Sequence, residues 1–173
     1  MALKVFENFI DWSQLMKEPT LVSRLQEECR YERLSWQTVE QMERFIRWDE
    51  LSQNPHLLDE FTLHQFCHRF DWEPILKRKK ISIDFMRNHA ATLSNHWDTI
   101  SKYQVLTPEF VLEWADFLDL ELVCVYQTLD ENVIRKLQKR LNMQKVLKHQ
   151  NLSPEFRQEI AITAAQSPNE ATV

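Results

Sequence analysis

The chain has 173 residues, of which 43% are hydrophobic and 27% are charged, and its formal net charge is −5. This length and apolar content suit one folded domain, and no apolar run approaches the ~18 residues that a membrane span requires. Glycine is absent. Because strand-rich folds and phosphate-binding loops depend on glycine, the composition argues against nucleotide-binding sheets and P-loops.

A tryptophan box recurs along the chain at a nearly constant interval. It reads DWSQL at Trp12, RWDEL at Trp48, DWEPI at Trp72 and HWDTI at Trp97. Two further copies, DLELV and NMQKV, carry Leu120 and Met143 in place of the tryptophan. From Trp48 onward, successive copies are 24, 25, 23 and 23 residues apart. Self-similarity at a period of this size predicts a stacked array of short structural repeats.

The repeat contains more than the tryptophan box. Matching segments precede the box, most closely LTPEFV (106–111), LDENVI (129–134) and LSPEFR (152–157), and more loosely ISIDFM, LLDEFT and LSWQTV. Three copies end in a glutamine, at Gln104, Gln127 and Gln150. A unit of this length accommodates two helices of two to three turns. We therefore predict about five helical hairpins between residues 34 and 161.

Capping residues support this division into helices. Side chains that can accept backbone N–H groups stand before the first helix of five units, at Ser35, Ser82, Thr107, Asp130 and Ser153. Pro108 and Pro154 follow two of these caps at the first helical position. The second helices begin after a carboxylate or amide, at Asp11, Asp71, Asp119 and Asn142. Without glycine, asparagine is the residue best suited to left-handed positions at helix ends, and the candidates are Asn54, Asn88 and Asn142.

The predicted fold class is therefore all-α, with short helical hairpins stacked as an α-solenoid-like array in a single domain. We assign residues 1–33 to an N-terminal half-repeat or cap, and we expect a disordered tail over residues 162–173, which are small and polar. Three widely spaced cysteines form no disulfide or metal framework, and no signal peptide opens the chain. These features favour a reducing cytoplasm.

The repeat resembles the short tandem helical repeat of the form LSEEFI…DWxxISxYQ, which occurs in largely uncharacterised proteins of bacteriophages and large DNA viruses. The resemblance is closest at ISIDFM…HWDTISKYQ and LTPEFV…VYQ. This sequence departs from the pattern at Leu120 and Met143, at Thr38, and in the Trp72 copy, which ends in RKK. The resemblance implies an all-helical array and a phage or viral origin. It brings no catalytic residues with it.

Few residues suggest chemistry. The box tryptophans lie on apolar faces, so we interpret them as core, whereas Trp36 lies outside the box and is a candidate contact anchor. His64, Cys67 and His68 have the i, i+3, i+4 spacing of metal ligands, but no second cluster completes a four-coordinate site, and we interpret them as buried or capping side chains. No nucleophile motif is present. The sequence therefore predicts a non-enzymatic protein without a metal or cofactor.

The distribution of charge is uneven. Residues 1–76 hold 8 basic and 14 acidic side chains, and residues 106–129 hold five acids with no lysine or arginine. The next segment, residues 132–149, has no acid and six basic residues: Arg135, Lys136, Lys139, Arg140, Lys145 and Lys148. A second basic cluster consists of Lys77, Arg78, Lys79 and Lys80. Three explanations are open: attraction to the acidic repeat, a solvated helix face, or a contact surface for an acidic partner.

These features predict a protein-binding module with a host protein as partner, because stacked helical pairs offer extended variable surfaces. A nucleic-acid-binding protein is the first alternative, with the 135–148 basic strip contacting phosphates, although the net charge of −5 opposes it. A self-assembling structural component is the second, because the end repeats of a stack leave apolar faces uncovered.

Overall fold

The computed structural model describes residues 17–31, 34–56 and 59–166, and all the regular structure in these ranges is helical. The helices are α1 (Pro19–Glu28), α2 (Trp36–Met42), α3 (Trp48–Ser52), α4 (Glu60–Gln65), α5 (Trp72–Arg78), α6 (Ile83–Asn88), α7 (Trp97–Tyr103), α8 (Pro108–Glu113), α9 (Leu120–Tyr126), α10 (Glu131–Leu137), α11 (Met143–His149) and α12 (Pro154–Gln166). The predicted all-α fold is confirmed. The chain forms two compact units, Met1–Leu93 and Ser94–Val173.

The first helix of each hairpin begins where the sequence predicts. The side-chain oxygens of five residues accept the backbone N–H three positions later at 2.7 to 3.3 Å: Ser35, Ser82, Thr107, Asp130 and Ser153. Asp59, which the sequence analysis did not single out, caps α4 in the same way at 3.0 Å. Each cap satisfies one of the N–H groups that a helix start leaves without an intrahelical acceptor.

The second helices are capped less uniformly. Asp71, Asp119 and Asn142 accept backbone N–H groups from the first turns of α5, α9 and α11. Arg47 and His96 precede α3 and α7 and make no side-chain capping bond. The difference follows the sequence, because in the Trp48 and Trp97 copies the aspartate comes after the tryptophan and not before it.

None of the C-cap residues from α2 to α11 is left-handed. The C-cap residues from Glu43 to Gln150 have φ between −115° and −45°. The prediction of a left-handed conformation is wrong for Asn142, whose φ of −75° and ψ of 101° are extended, because it caps the start of α11. Asn88 is the last residue of α6, and His89 ends that helix with φ of −115°. Asn54 is buried and binds a carbonyl one repeat earlier.

The core of each unit lies between helices one repeat apart. In the second unit, α9 packs against both α7 and α11, α8 packs against α10, and α11 packs against α12. Phe110, Val123, Cys124, Ile134 and Val146 are fully buried there. In the first unit α3 packs against α5, and the most buried side chains include Leu51, Leu63, Ile75, Leu76 and Met86. These residues supply the apolar burial that short helices need, because helices of five to seven residues are not stable alone.

The box tryptophans that the structure describes belong to this core, as predicted. Trp72 is 2% exposed and Trp97 is 8% exposed. Trp48 is half-buried, with its ring 5.2 Å from that of Phe70. Trp12 lies outside the described residues. Leu120 and Met143, which replace the tryptophan, are half-buried.

Both ends of the described chain are helical. Helix α1 falls within the segment assigned to an N-terminal cap. Helix α12 runs to Gln166, so the tail prediction begins too early: residues 162–166 continue a helix, and residues 167–173 lie outside the described part. Among the described helices, none has the length and apolar character to cross a bilayer.

Candidate partner-binding surface

Glutamine side chains join successive repeats of the second unit. The Gln127 amide nitrogen donates to the carbonyls of Ser101 and Gln104 at 2.9 and 2.8 Å, at the end of α7. Its amide oxygen accepts the backbone N–H of Leu106 at 3.2 Å. We call this arrangement an inter-repeat clasp: a side chain that binds carbonyl groups at the end of the second helix of the preceding repeat. The clasp gives the terminal carbonyls the partners that a glycine-containing C-cap provides elsewhere.

The clasp recurs one repeat later and then ends. Gln150 donates to the carbonyls of Cys124 and Gln127 at 2.7 and 2.8 Å. At the end of α11, Arg157 donates to the carbonyls of Leu147 and Gln150 at 2.8 and 3.4 Å. Because Arg157 lies on α12 of the same chain, the carbonyls of the last hairpin are satisfied without a further repeat.

The first unit uses different side chains for the same purpose. Arg78 donates to the carbonyl of Ser52 at 2.6 Å and to that of Gln53. Asn54 donates to the carbonyl of Cys29 at 2.7 Å. Arg78 belongs to the basic cluster that the sequence analysis selected as a partner contact. Its guanidinium also holds two repeats together, and its role as a partner contact stays a prediction.

A second polar bridge connects neighbouring second helices. The hydroxyl of Ser101 donates to the carbonyl of Trp97 at 2.6 Å and accepts the N–H of Asp119 at 3.0 Å. Ser52 makes the same pair of bonds in the first unit. Cys124 occupies this position one repeat later, and burial raises the pKa of its thiol to about 11. The thiol is therefore protonated at neutral pH, which is unsuited to a nucleophile.

Three members of the 135–148 basic strip are paired with acids of adjacent repeats. Arg140 contacts Asp116 at 2.8 Å, and Lys145 contacts Glu121 at 2.7 Å, both in the preceding repeat. The Arg140 guanidinium also donates to the Ala115 carbonyl at 2.7 Å. The ion pair with Lys145 lowers the pKa of Glu121. Attraction between the basic and acidic repeats therefore accounts for these two cations.

Arg135 contacts the following helix, α12, and not the preceding repeat. Its guanidinium binds both carboxylate oxygens of Glu159, at 2.5 and 2.8 Å, and lies 4.4 Å from the centroid of the Phe156 ring. Both partners lie on α12. This bidentate geometry is stronger and more directional than a single lysine contact. Arg135 thus fixes the terminal helix against α10.

The other three lysines of the strip remain accessible. Lys136, Lys139 and Lys148 are exposed, and none forms an ion pair with another described residue. Lys136 lies in the last turn of α10, and Lys139 lies in the turn that follows this helix. Of the 77–80 cluster, Lys77 pairs with Glu73 at 2.7 Å, and Lys79 and Lys80 also have interaction partners. The unpaired positive charge is therefore concentrated in the repeat that contains α10 and α11.

Trp36 is less exposed than we expect for a residue that anchors a binding partner. It is half-buried at the start of α2, and its ring meets that of Phe61 edge-on at 5.6 Å. Phe61 is itself 51% exposed. The sequence analysis did not predict Phe61 as an exposed contact residue. Phe61 lies on α4, one position before the residue of this helix that is buried in the core. The two rings form an exposed aromatic pair in the first unit.

A lysine between two tyrosines is a further feature that sequence reasoning missed. The Lys102 ammonium lies 5.1 Å from the ring of Tyr103 and 4.9 Å from that of Tyr126, one repeat later. Contacts with Tyr103 and then Tyr126 raise the pKa of Lys102. Tyr126 is 51% exposed. The repeated Tyr-Gln ending was visible in the sequence, but the lysine that joins its tyrosines was not.

The predicted cluster of His64, Cys67 and His68 does not form a buried group. Helix α4 ends at Gln65, so Cys67 and His68 lie in the following turn, and both histidines are exposed. His64 contacts His89 instead, with His89 Nε2 2.6 Å from His64 Nδ1. The interpretation as buried side chains is wrong for both histidines. No group of three or more potential metal ligands is found within the described ranges.

The partial burial of His89 is expected to make stability depend on pH. Burial, followed by the neighbouring His64, lowers the pKa of His89 below its ordinary 6.5. Between the lowered pKa and 6.5 the unfolded chain binds more protons here than the folded protein, so stability falls as the pH decreases through this window. We expect the thermal midpoint of the wild type to fall more between about pH 7.5 and 5.5 than that of His89→Asn. Equal falls, measured by circular dichroism, would contradict this origin.

No protein-family model, curated protein or solved structure matches this chain.

Proposed function

We propose that this protein is a non-enzymatic helical-repeat module that binds a protein partner through an acidic surface of that partner. The observation that carries the proposal is that some cations of the basic strip form ion pairs and the others do not. Arg135, Arg140 and Lys145 bind acids of adjacent repeats. Lys136, Lys139 and Lys148 do not, and their exposed ammonium groups are the candidate contacts.

The biological setting is part of the same proposal. The repeat resembles that of bacteriophage and large DNA virus proteins, which supports an accessory protein that acts on a host protein, such as a defence component. The three cysteines are free. Free thiols suit a reducing cytoplasm, here the cytoplasm of the host.

Nucleic acid is the competing partner. Three unpaired lysines can neutralise about three phosphates, which gives only a modest electrostatic affinity at physiological salt. The acidic side chains that pair with the rest of the strip lower it further. A protein partner with a few acidic residues requires fewer contacts and is therefore preferred.

Capture from bacterial lysate, with and without nuclease, tests the proposal. The test variant is Lys136/Lys139/Lys148→Gln, which removes three charges without touching the clasps or the ion pairs. The control is Gln41/Gln65/Asn88→Glu/Glu/Asp, which changes the net charge equally through exposed side chains of the first unit. We expect a nuclease-resistant protein to bind the wild type and the control and to be lost from the test variant.

The other outcomes separate the alternatives. A partner that disappears with nuclease, and whose affinity falls steeply with salt, would establish nucleic-acid binding. Equal binding by the test and control variants would reject the lysines as the contact. Recovery of the chain alone, together with a defined oligomer in sedimentation, would favour self-assembly.

A further inference from the structure

Two imidazole nitrogens converge at the surface of the first unit. His64 lies on α4, and His89 is the C-cap residue of α6, one repeat later. Nε2 of His89 is 2.6 Å from Nδ1 of His64, and the rings are inclined by 73°. The ring of Phe85 packs against His89 with 4.4 Å between centroids, which restricts the His89 imidazole. His64 is exposed, and its ring lies 6.5 Å from that of Phe85.

This spacing is close to that of two ligands on one metal ion. Imidazole nitrogens bind zinc at about 2.0–2.1 Å, so two of them on one ion lie roughly 3 Å apart. The two nitrogens must therefore move slightly further apart, and the His64 ring must rotate, so that both lone pairs point at one ion. We propose that His64 and His89 form a two-imidazole site for a divalent transition-metal ion such as Zn²⁺ or Ni²⁺, with solvent at the remaining positions.

The location of the pair supports this site. An imidazole nitrogen coordinates a metal ion in its neutral form, so binding is expected at neutral pH. The two ligands belong to successive repeats, so a bound ion joins α4 to the end of α6. Because the ion binds the folded arrangement in preference to the unfolded chain, it stabilises the fold by mass action. This role is independent of the lysine surface.

Calorimetric titration with Ni²⁺ at neutral pH tests the proposal. Nickel is the probe because imidazole suits it, whereas Zn²⁺ is bound more readily by the free thiols. We expect saturation at one ion per chain and a higher thermal midpoint with nickel than without it. Both effects are expected to be lost in His64→Asn and in His89→Asn, and to be lost in the wild type at about pH 5.5.

Two matched variants guard against a misassigned site. His68→Asn removes another exposed histidine from the turn after α4, and Cys67→Ser removes the nearest thiol in sequence; both are expected to bind nickel as the wild type does. Circular dichroism of His64→Asn, an exposed substitution, checks that loss of binding is not loss of folding. Wild-type affinity in His64→Asn, loss of binding in Cys67→Ser, or no saturable binding by the wild type would each overturn the proposal.

Discussion

Replacing Trp72 by alanine is expected to lower the free energy of unfolding by about 3–5 kcal/mol. Its ring is 2% exposed and packs against Phe70 and Phe85, with centroids at 6.1 and 5.4 Å. Its Nε1 donates to the carbonyl of Cys67 at 2.8 Å. The substitution therefore creates a cavity and also leaves a carbonyl without its partner. Chemical denaturation followed by circular dichroism measures the change.

Two further variants separate the contributions of the Trp72 ring. Trp72→Phe keeps most of the apolar volume but loses the indole donor, so its cost is expected to lie well below that of alanine. Phe61→Ala removes an aromatic ring that is 51% exposed and is expected to cost less than about 1 kcal/mol. Similar losses for Trp72→Ala and Phe61→Ala would contradict a core role for the box tryptophan.

Replacing Gln150 by alanine is expected to cost about 2–4 kcal/mol, because an unsatisfied buried polar group costs roughly 1–3 kcal/mol. Gln150 is 5% exposed. Its nitrogen binds the carbonyls of Cys124 and Gln127, and its oxygen accepts the N–H of Leu129 at 2.8 Å. The loss removes partners from two carbonyls and one amide at once. Equilibrium denaturation gives the free energy of unfolding.

Two controls test whether the Gln150 clasp is the cause. Gln144 is exposed on α11, the helix that Gln150 follows, and Gln144→Ala is expected to change stability by no more than about 0.5 kcal/mol. Gln150→Glu keeps an acceptor for Leu129 but removes the donor to both carbonyls, so it should remain strongly destabilising. A cost for Gln150→Ala no larger than that for Gln144→Ala would exclude the clasp as a stabilising contact.

Sequence reasoning succeeded where the determining interactions are local. A helix cap joins residues two or three positions apart, so Ser82, Thr107 and Asp119 could be assigned from residue type and the following segment alone. The burial of Trp72 and Trp97 followed from the period, because each repeat places the same position against its neighbour. The helical class and the first-helix starts were therefore predictable.

The contacts that define the candidate surface are not local. Arg78 stands in a run of basic residues, and nothing in that run indicates that it binds carbonyls about one repeat earlier. The sequence left the explanation of the 135–148 strip open, and only the positions of Asp116, Glu121 and Glu159 divided its cations into paired and accessible ones. His89 was missed because its partner is 25 residues away. Pairing at that distance depends on the register of the stack, which residue types do not specify.

The hydrogen bonds of Arg157 to the carbonyls at the end of α11 have a consequence for how the length of such a chain can vary. Arg157 lies seven residues after Gln150. If residues 130–152 were removed, Arg157 would lie seven residues after Gln127. A deletion of one whole period therefore keeps the spacing between Arg157 and the carbonyls it satisfies, whereas a deletion of a different size does not. Insertions and deletions within coding sequences of this kind should accordingly accumulate in multiples of one repeat.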